Sequence, residues 1–448
     1  MTEIQGTQKR PSITQVALAS WIGTSIEWYD FFLYGTAAAL VLGPLFFSPS
    51  FSPIAAQLSA FATFWVGFAA RPVGGIIFGH FGDRIGRKTM LILTLVIMGI
   101  ATFLVGCLPT FSAIGIWAPI CLVILRIFQG IAVGGEWGGA ILMATEHAPA
   151  HRRGFYGSWP QMGVPAGLIL SSLMFSLVST SFSKPDFLAF GWRIPFLLSF
   201  VLVIVGLFIR LRITETPDFE RLKAEQAVVR MPIIDVVRHW SNLKYVLLAA
   251  GAFVLSNGSF YIYITFSVSY GTTVLNVPSS VILNGILIAA AALAFVLPVA
   301  GALSDRYGRL PIYLIGAGLT MLSAFPIFWL IDTRSPVLIT LGLCLGMFTT
   351  ALMYGPQAAF YSEMFGTGVR YSGASLGYQG ASIVAGGLAP FIATALLGIF
   401  GHVSWPISVY IIILAIITFV SAYLAGETRT PAVIAAEAVA AKAGVESI

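Results

Sequence analysis

Twelve apolar segments of about 20 residues or more run along the chain, at 15–46, 54–80, 89–108, 115–144, 154–181, 190–210, 244–272, 279–302, 311–331, 335–361, 372–400 and 404–425. That is the length a helix needs to cross the hydrocarbon core of a bilayer. Inside hydrocarbon every backbone N–H and C=O must be paired within the structure, so such segments fold as a bundle of helices. Composition decides the one remaining doubt, whether these are core helices of a soluble protein. The chain is 58% hydrophobic and 9% charged, whereas a soluble domain is about 25% charged. A soluble enzyme, a disordered chain and a nucleic-acid-binding domain are thereby excluded.

Gly and Pro are frequent inside the segments (Pro72, Gly74, Gly75, Pro160, Pro165, Pro298, Pro356), which suits close packing and local bends in a membrane bundle. The long polar stretch 211–243 splits the chain into six helices and six. With the N-terminus inside, cytoplasmic segments hold 19 of the 24 Lys and Arg, and outward segments hold three, Lys184, Arg193 and Arg334. The bias places both termini in the cytoplasm and accounts for the net charge of +6 without a nucleic-acid partner. The expected organisation is a cytoplasmic tail 1–14, a bundle 15–210, a cytoplasmic loop 211–243, a second bundle 244–426 and a tail 427–448. The N-terminal stretch has no cleavage site of a signal peptide. Cys107, Cys121 and Cys344 show neither CxxC nor metal spacing, so no disulfide and no metal site is expected.

The two halves share signals. Gly79–Lys88 reads GHFGDRIGRK and Gly301–Leu310 reads GALSDRYGRL, which pairs Asp83, Arg84, Gly86 and Arg87 with Asp305, Arg306, Gly308 and Arg309 at an offset of 222. Glu146 precedes Arg153 by seven residues, and Glu363 precedes Arg370 by seven. A duplicated six-helix unit is a transporter design.

These motifs resemble the major facilitator superfamily, whose GxxxDRxGR signature lies between helices 2 and 3. IEWYDFFLYG (26–35), RIFQGIAVGGEWGGAILMATEHAP (126–149), GSWPQMGVPAGLILSS (157–172), GWRIPFLLS (191–199) and LRITETPDF (211–219) resemble its metabolite:proton symporter family. That family includes carriers of shikimate, 2-oxoglutarate, citrate, and proline or betaine. The resemblance implies an all-α membrane protein with twelve transmembrane helices in two pseudo-symmetric six-helix bundles, in a bacterial inner membrane. It also implies a monomer that takes a small-molecule substrate, with the proton as coupling ion and no cofactor. The osmosensing members of the family carry a long C-terminal coiled coil. The Ala-rich tail after Thr428 is too short for several heptads, which points away from osmotic activation.

Charges at membrane depth are expensive and point to function. Five fall within the apolar segments: Glu27, Asp30, Arg71, Arg126 and Glu136. At about 1.5 Å per residue, Asp30 lies about 22 Å above the start of its helix, Arg71 about 18 Å above Asp83, and Glu136 about 15 Å above Glu146. Arg126 lies further outward. Glu27, Asp30 and Tyr34 form one stripe and Arg126, Gln129, Val133 and Glu136 another, each able to face a central cavity. This pattern fits proton-coupled transport of an anion. Asp30 is the expected proton carrier, with Glu27 and Glu136 next. Arg71 or Arg126 can hold a substrate carboxylate by a bidentate contact. Arg71 is the expected first contact and Arg126 the expected partner of Asp30, with Tyr34 and Gln129 also expected to line the substrate site. The competing reading of each charge is a structural ion pair, and the glycines around Glu136 equally suit helix packing.

Polar groups elsewhere can orient a solute: Trp28, Trp159 and Gln161 in the first half, and Asn257, Tyr261, Asn284, Tyr354, Gln357, Tyr361, Tyr378 and Gln379 in the second. Helix-packing polar contacts are the alternative for each. Asp83, Arg84, Arg87, Glu146 and Arg153, with Asp305, Arg306, Arg309, Glu363 and Arg370, lie at the cytoplasmic edge. There an Asp can cap a neighbouring helix and pair with Arg, and the resemblance implies a gate lock. His80 in the same motif is a packing residue or a proton relay. No HExxH or GxxxxGKS motif occurs, which argues against a metalloprotease-type enzyme and against ATP as energy source. The expected function is proton-coupled symport of a small organic carboxylate by alternating access. The alternatives are uptake of a zwitterionic osmolyte such as proline or betaine, and an uncoupled facilitator or exchanger of the same fold. A drug-efflux antiporter fits less well, because two intramembrane arginines disfavour cationic cargo.

Overall fold

The computed structural model describes residues 13–85, 87–135, 141, 144–145, 148, 150–212, 240–365 and 370–429. Its long apolar helices, in chain order, are α1 (Trp21–Phe46), α2 (Pro53–Phe78), α3 (Ile92–Cys107), α4 (Trp117–Gly134), α5 (Arg153–Ser181), α6 (Arg193–Phe208), α7 (Leu243–Thr273), α8 (Ser279–Tyr307), α9 (Arg309–Asp332), α10 (Pro336–Met364), α11 (Gly373–Ile399) and α12 (Trp405–Ala425). Among the described residues, ten are long and apolar enough to span a bilayer, and α6 makes an eleventh when joined to Lys184–Gly191 across a 41° bend. The segment expected at 89–108 is a helix over Arg87–Cys107. Its apolar part is α3.

Large apolar side chains cover the outside. Leu322, Phe295 and Val337 are 75–77% exposed, a surface that suits lipid and not water. The interior is lined by Ala and aromatic residues. Within the first half α1 packs on α5, α2 on α4 and α3 on α6. In the second half α7 packs on α11, α8 on α10 and α9 on α12. The same partner choice thus recurs six helices later.

Small residues bring α2 and α4 together. A Cβ on Gly130 would run into the Gly67 carbonyl, and one on Gly134 into the Arg71 carbonyl. Gly130 and Gly134 are four apart, the small-xxx-small spacing that allows backbone contact between membrane helices. A feature absent from the sequence reading is a π turn at Ala38–Leu42 in α1 and another at Ile262–Phe266 in α7. Their offset of 224 is half the chain length. A third lies in α11 at Ser382–Gly387. Each widens the helix by a residue and re-aims the side chains beyond it.

Candidate functional site

The halves meet along α5 against α8 and α10, and along α2 against α11. Between them lies a cavity of about 40 Å³, walled by Thr24, Glu27, Trp28 and Phe31 of α1, Arg71 of α2, Val133 of α4, Pro160, Gln161 and Val164 of α5, Tyr354 of α10, Tyr378 and Gln379 of α11, and Ile141. Apolar walls with a few converging polar groups are the usual form of a small-molecule site.

Arg71 is 1% exposed. Its guanidinium lies 4.2 Å from the Phe68 ring, 4.4 Å from Phe31 and 5.7 Å from Trp28. The rings hold the cation by its faces. Its Nε and Nη2 have no hydrogen-bond partner among the described residues. Tyr261, Tyr354 and Tyr378 surround it electrostatically. Gln161 Nε2 donates to the Tyr354 carbonyl at 2.6 Å, and Gln379 Nε2 donates to the Gly134 carbonyl at 3.2 Å.

Asp30 takes another direction. The cavity face of α1 is Thr24, Glu27, Trp28 and Phe31. Only Glu27 of the expected stripe belongs to it, because each helical residue turns the side chain by about 100° and Asp30 points instead to α6. Ser199 Oγ donates to Asp30 Oδ1 at 2.7 Å, and the Thr102 hydroxyl is another neighbour of the carboxyl. Tyr34 turns to α2, where its hydroxyl shares a 2.7 Å hydrogen bond with Thr63.

The expected Asp30–Arg126 pair is not formed. Arg126 is fully buried and its Nη1 donates to Gln129 Oε1 at 2.8 Å, while Gln129 Nε2 donates to Thr102 Oγ1 at 2.7 Å. The guanidinium lies 4.0 Å from the Tyr34 ring and 4.6 Å from Phe31. Gln129 and Thr102 therefore stand between Arg126 and Asp30. Ser199 and Thr102 went unnoticed in the sequence, since a hydroxyl in an apolar helix carries no signal of its own.

Other expected groups lie outside the cavity. Trp159 packs edge-on to Phe155, and its Nε1 is buried without a hydrogen bond among the described residues. Asn257 sits against Gly386. Tyr261 stacks edge-on with Phe68 and Phe64. Gln357 is buried on α10. Asn284 accepts from Ser176 at 3.0 Å, a contact between α8 and α5. Tyr361 donates to the Ala249 carbonyl. Glu136 and Glu146 fall outside the described residues, as do the side chains of His80, Asp83, Arg84, Arg87 and Arg370.

The end of the interface expected to face the cytoplasm is tied by charge. Asp305 Oδ1 and Oδ2 accept the backbone N–H groups of Gly154 and Phe155, each at 2.9 Å, next to Arg153 at the start of α5. Arg309 Nη1 donates to Asp305 at 2.7 Å, and its Nε and Nη2 grip Glu363 at 3.2 and 3.0 Å. Gly308, between α8 and α9, has φ +98°, a conformation that favours glycine. This gives Gly308 its reason. Glu427 accepts the N–H groups of Arg309 and Leu310, each at 3.0 Å. Arg306 lies over the Tyr307 ring and makes no hydrogen bond to this network among the described residues.

Comparison with known proteins places this geometry. The profile of the Major Facilitator Superfamily matches residues 20–390. The shikimate transporter of Escherichia coli K12 is 42% identical over 430 residues, covering 95% of this chain and 97% of the relative. The proline/betaine transporter of the same strain is 35% identical over 441 residues, covering 96% and 85%. A solved D-xylose–proton symporter superposes with a TM-score of 0.71 at 20% identity, covering 94% of this chain and 99% of that one, which is a likeness of fold. The chain belongs to the Major Facilitator Superfamily, within its metabolite:proton symporter family, and is a multi-pass membrane transporter, not an enzyme.

Proposed function

We propose that the protein is a proton-coupled symporter of a small organic carboxylate. In this reading it works by alternating access between halves at 15–210 and 244–426, in a bacterial inner membrane with both termini cytoplasmic. The observation that carries the reading is Arg71, a buried cation on the cavity wall whose Nε and Nη2 have no hydrogen-bond partner among the described residues. A carboxylate supplies two acceptors for such a fork. The 42% identity to a shikimate transporter supports a carboxylate as cargo.

Asp30 is the proposed proton carrier. It is buried with no ion pair to Arg126, and burial makes its charged form costly. The run Arg126–Gln129–Thr102 leads from a second buried cation to its neighbourhood. Glu27, the next proton candidate, shares the cavity with Arg71. Asp305, Arg309 and Glu363 form the proposed lock on the cytoplasmic side, with Arg153 at the helix that Asp305 caps.

The test is uptake by proteoliposomes across a panel of carboxylates, with and without an inward proton gradient. Accumulation should require the gradient, and Arg71→Ala should weaken carboxylate binding at least tenfold. Equal uptake at zero gradient would refute the coupling. A zwitterion is the second reading, favoured by Glu27 and Trp28 on the same wall as Arg71, since an acid and an aromatic face suit a cationic nitrogen.

A further inference from the structure

We infer that Gln161 and Gln379 are specificity-determining residues that read hydrogen-bond donors on the cargo, so that the carboxylates carried are those that also bear hydroxyl or N–H groups. The inference rests on the carboxylate reading above and narrows it.

A glutamine amide offers two N–H donors and one acceptor oxygen. Here the orientation of both amides is fixed from outside the cavity. The Tyr354 and Gly134 carbonyls only accept, so each amide must turn its nitrogen toward its carbonyl, at 2.6 and 3.2 Å. The oxygen is then directed elsewhere. Oε1 of Gln161 and Oε1 of Gln379 are both buried without a hydrogen bond among the described residues, and both residues stand on the cavity wall beside Arg71. A buried acceptor without a donor is unfavourable, and only a donor relieves it. A second carboxylate or a ketone would set lone pair against lone pair. The site therefore asks for an anionic group toward Arg71, donors toward two amide oxygens, and an apolar face toward Trp28 and Phe31.

The same residues connect recognition to closure. Gln161 on α5 reaches the carbonyl of Tyr354 on α10, and Gln379 on α11 reaches that of Gly134 on α4. Both bonds cross between the halves, and α5 and α11 hold matching places in them. A donor on an amide oxygen polarises the amide and strengthens the hydrogen bond that its N–H donates on the far side. Cargo that satisfies both oxygens therefore tightens both cross-links.

The test uses the full-length protein in proteoliposomes with four probes at one proton gradient. Shikimate and proline bear a carboxylate and donors. Cyclohexanecarboxylate and glycine betaine bear a carboxylate and none. The expected result is that at least one donor-bearing probe is carried, and that both donor-free probes compete at least tenfold more weakly. This arm needs no variant, so misfolding cannot obscure it. Gln161→Met and Gln379→Met should each lower affinity for the donor-bearing probe about tenfold and leave competition by cyclohexanecarboxylate within about twofold. Donor-free probes bound as tightly as donor-bearing ones overturn the inference and leave the carboxylate reading intact, as does an equal loss for both classes in the Met variants. Failure of all four probes, with uptake of uncharged inositol, overturns the carboxylate reading and this inference with it.

Discussion

The Asp305 carboxylate at the end of α8 accepts the backbone N–H of Gly154 in the first turn of α5 at 2.9 Å. The two residues lie 151 positions apart and in different halves. A negative charge at a helix N-terminus satisfies orphan N–H groups and opposes the positive end of the helix dipole. The bond therefore acts only while this end of the interface is closed.

Asp305→Asn should loosen that end. It removes the charge and sets an amide N–H against one of the two backbone donors. Caps of this kind contribute about 0.5–2 kcal/mol, enough to change the population of closed molecules several-fold. Ser158 is fully buried beside the contact. With Cys107, Cys121 and Cys344 replaced by Ser, a Ser158→Cys reporter should react several-fold faster with an impermeant maleimide once Asn is present. An unchanged rate would show that the cap does not hold the interface.

Arg309 serves two acids at once, Asp305 at 2.7 Å and Glu363 at 3.0 Å, and its side chain is fully buried. Its loss would leave two carboxylates close together without a cation. Breaking one partner out of a buried pair costs about 3–5 kcal/mol, so Arg309→Ala should lower Tm in detergent sharply. Arg309→Lys should recover little, because a point charge cannot replace the fork that meets both acids. Full recovery with Lys would mean that charge alone suffices.

How far the sequence leads depends on the kind of signal. Span length and hydropathy reveal helices because lipid imposes both. The DRxGR repeat reveals Asp305 and Arg309 because charge at a membrane edge stands out against apolar neighbours, whereas the reason for Gly308, its backbone angle, is visible only in the structure. The rotation of α1 was not legible. Glu27, Asp30 and Tyr34 share a stripe by spacing, yet they separate toward the cavity, α6 and α2, since the packing of neighbouring helices decides which edge of a stripe faces inward. The Asp30–Arg126 pair failed for a related reason. The Arg126 guanidinium lies among aromatic rings and gives one N–H to Gln129, while its Nε and Nη2 stay without a hydrogen bond among the described residues, and nothing in the spacing weighs those neighbours against a carboxylate. The Gln161 and Gln379 bonds end on backbone carbonyls, which no side-chain pattern announces.

Gly134→Ala should damage the site from behind. A Cβ at this position would overlap the carbonyl of Arg71, so α2 must move off α4 and carry the guanidinium with it. The Gly134 carbonyl also accepts Gln379 Nε2. Overpacking of this sort costs about 1–3 kcal/mol, and a displacement of about 1 Å in a binding group is a large functional loss. The variant should show weaker cargo affinity than Gly75→Ala, whose added Cβ comes no nearer than 3.3 Å to its neighbour. Equal affinities in the two variants would exclude this backbone contact as the support of Arg71.

Asp30→Asn separates coupling from transport. Ser199 Oγ donates to Asp30 Oδ1, and an Asn oxygen in the same place accepts that bond equally well, so α1 and α6 keep their contact. The amide cannot take up and release a proton at physiological pH. If Asp30 carries the coupling proton, the variant should lose accumulation driven by the gradient and retain exchange of labelled for unlabelled cargo at equal concentrations. Ser199→Ala supplies the control, since it removes the hydrogen bond and keeps the carboxyl; it should still accumulate cargo, at an altered pH dependence. Loss of exchange along with accumulation in the Asn variant would make Asp30 a structural residue. Accumulation that survives in the Asn variant would move the proton to Glu27, the carboxyl on the cavity wall.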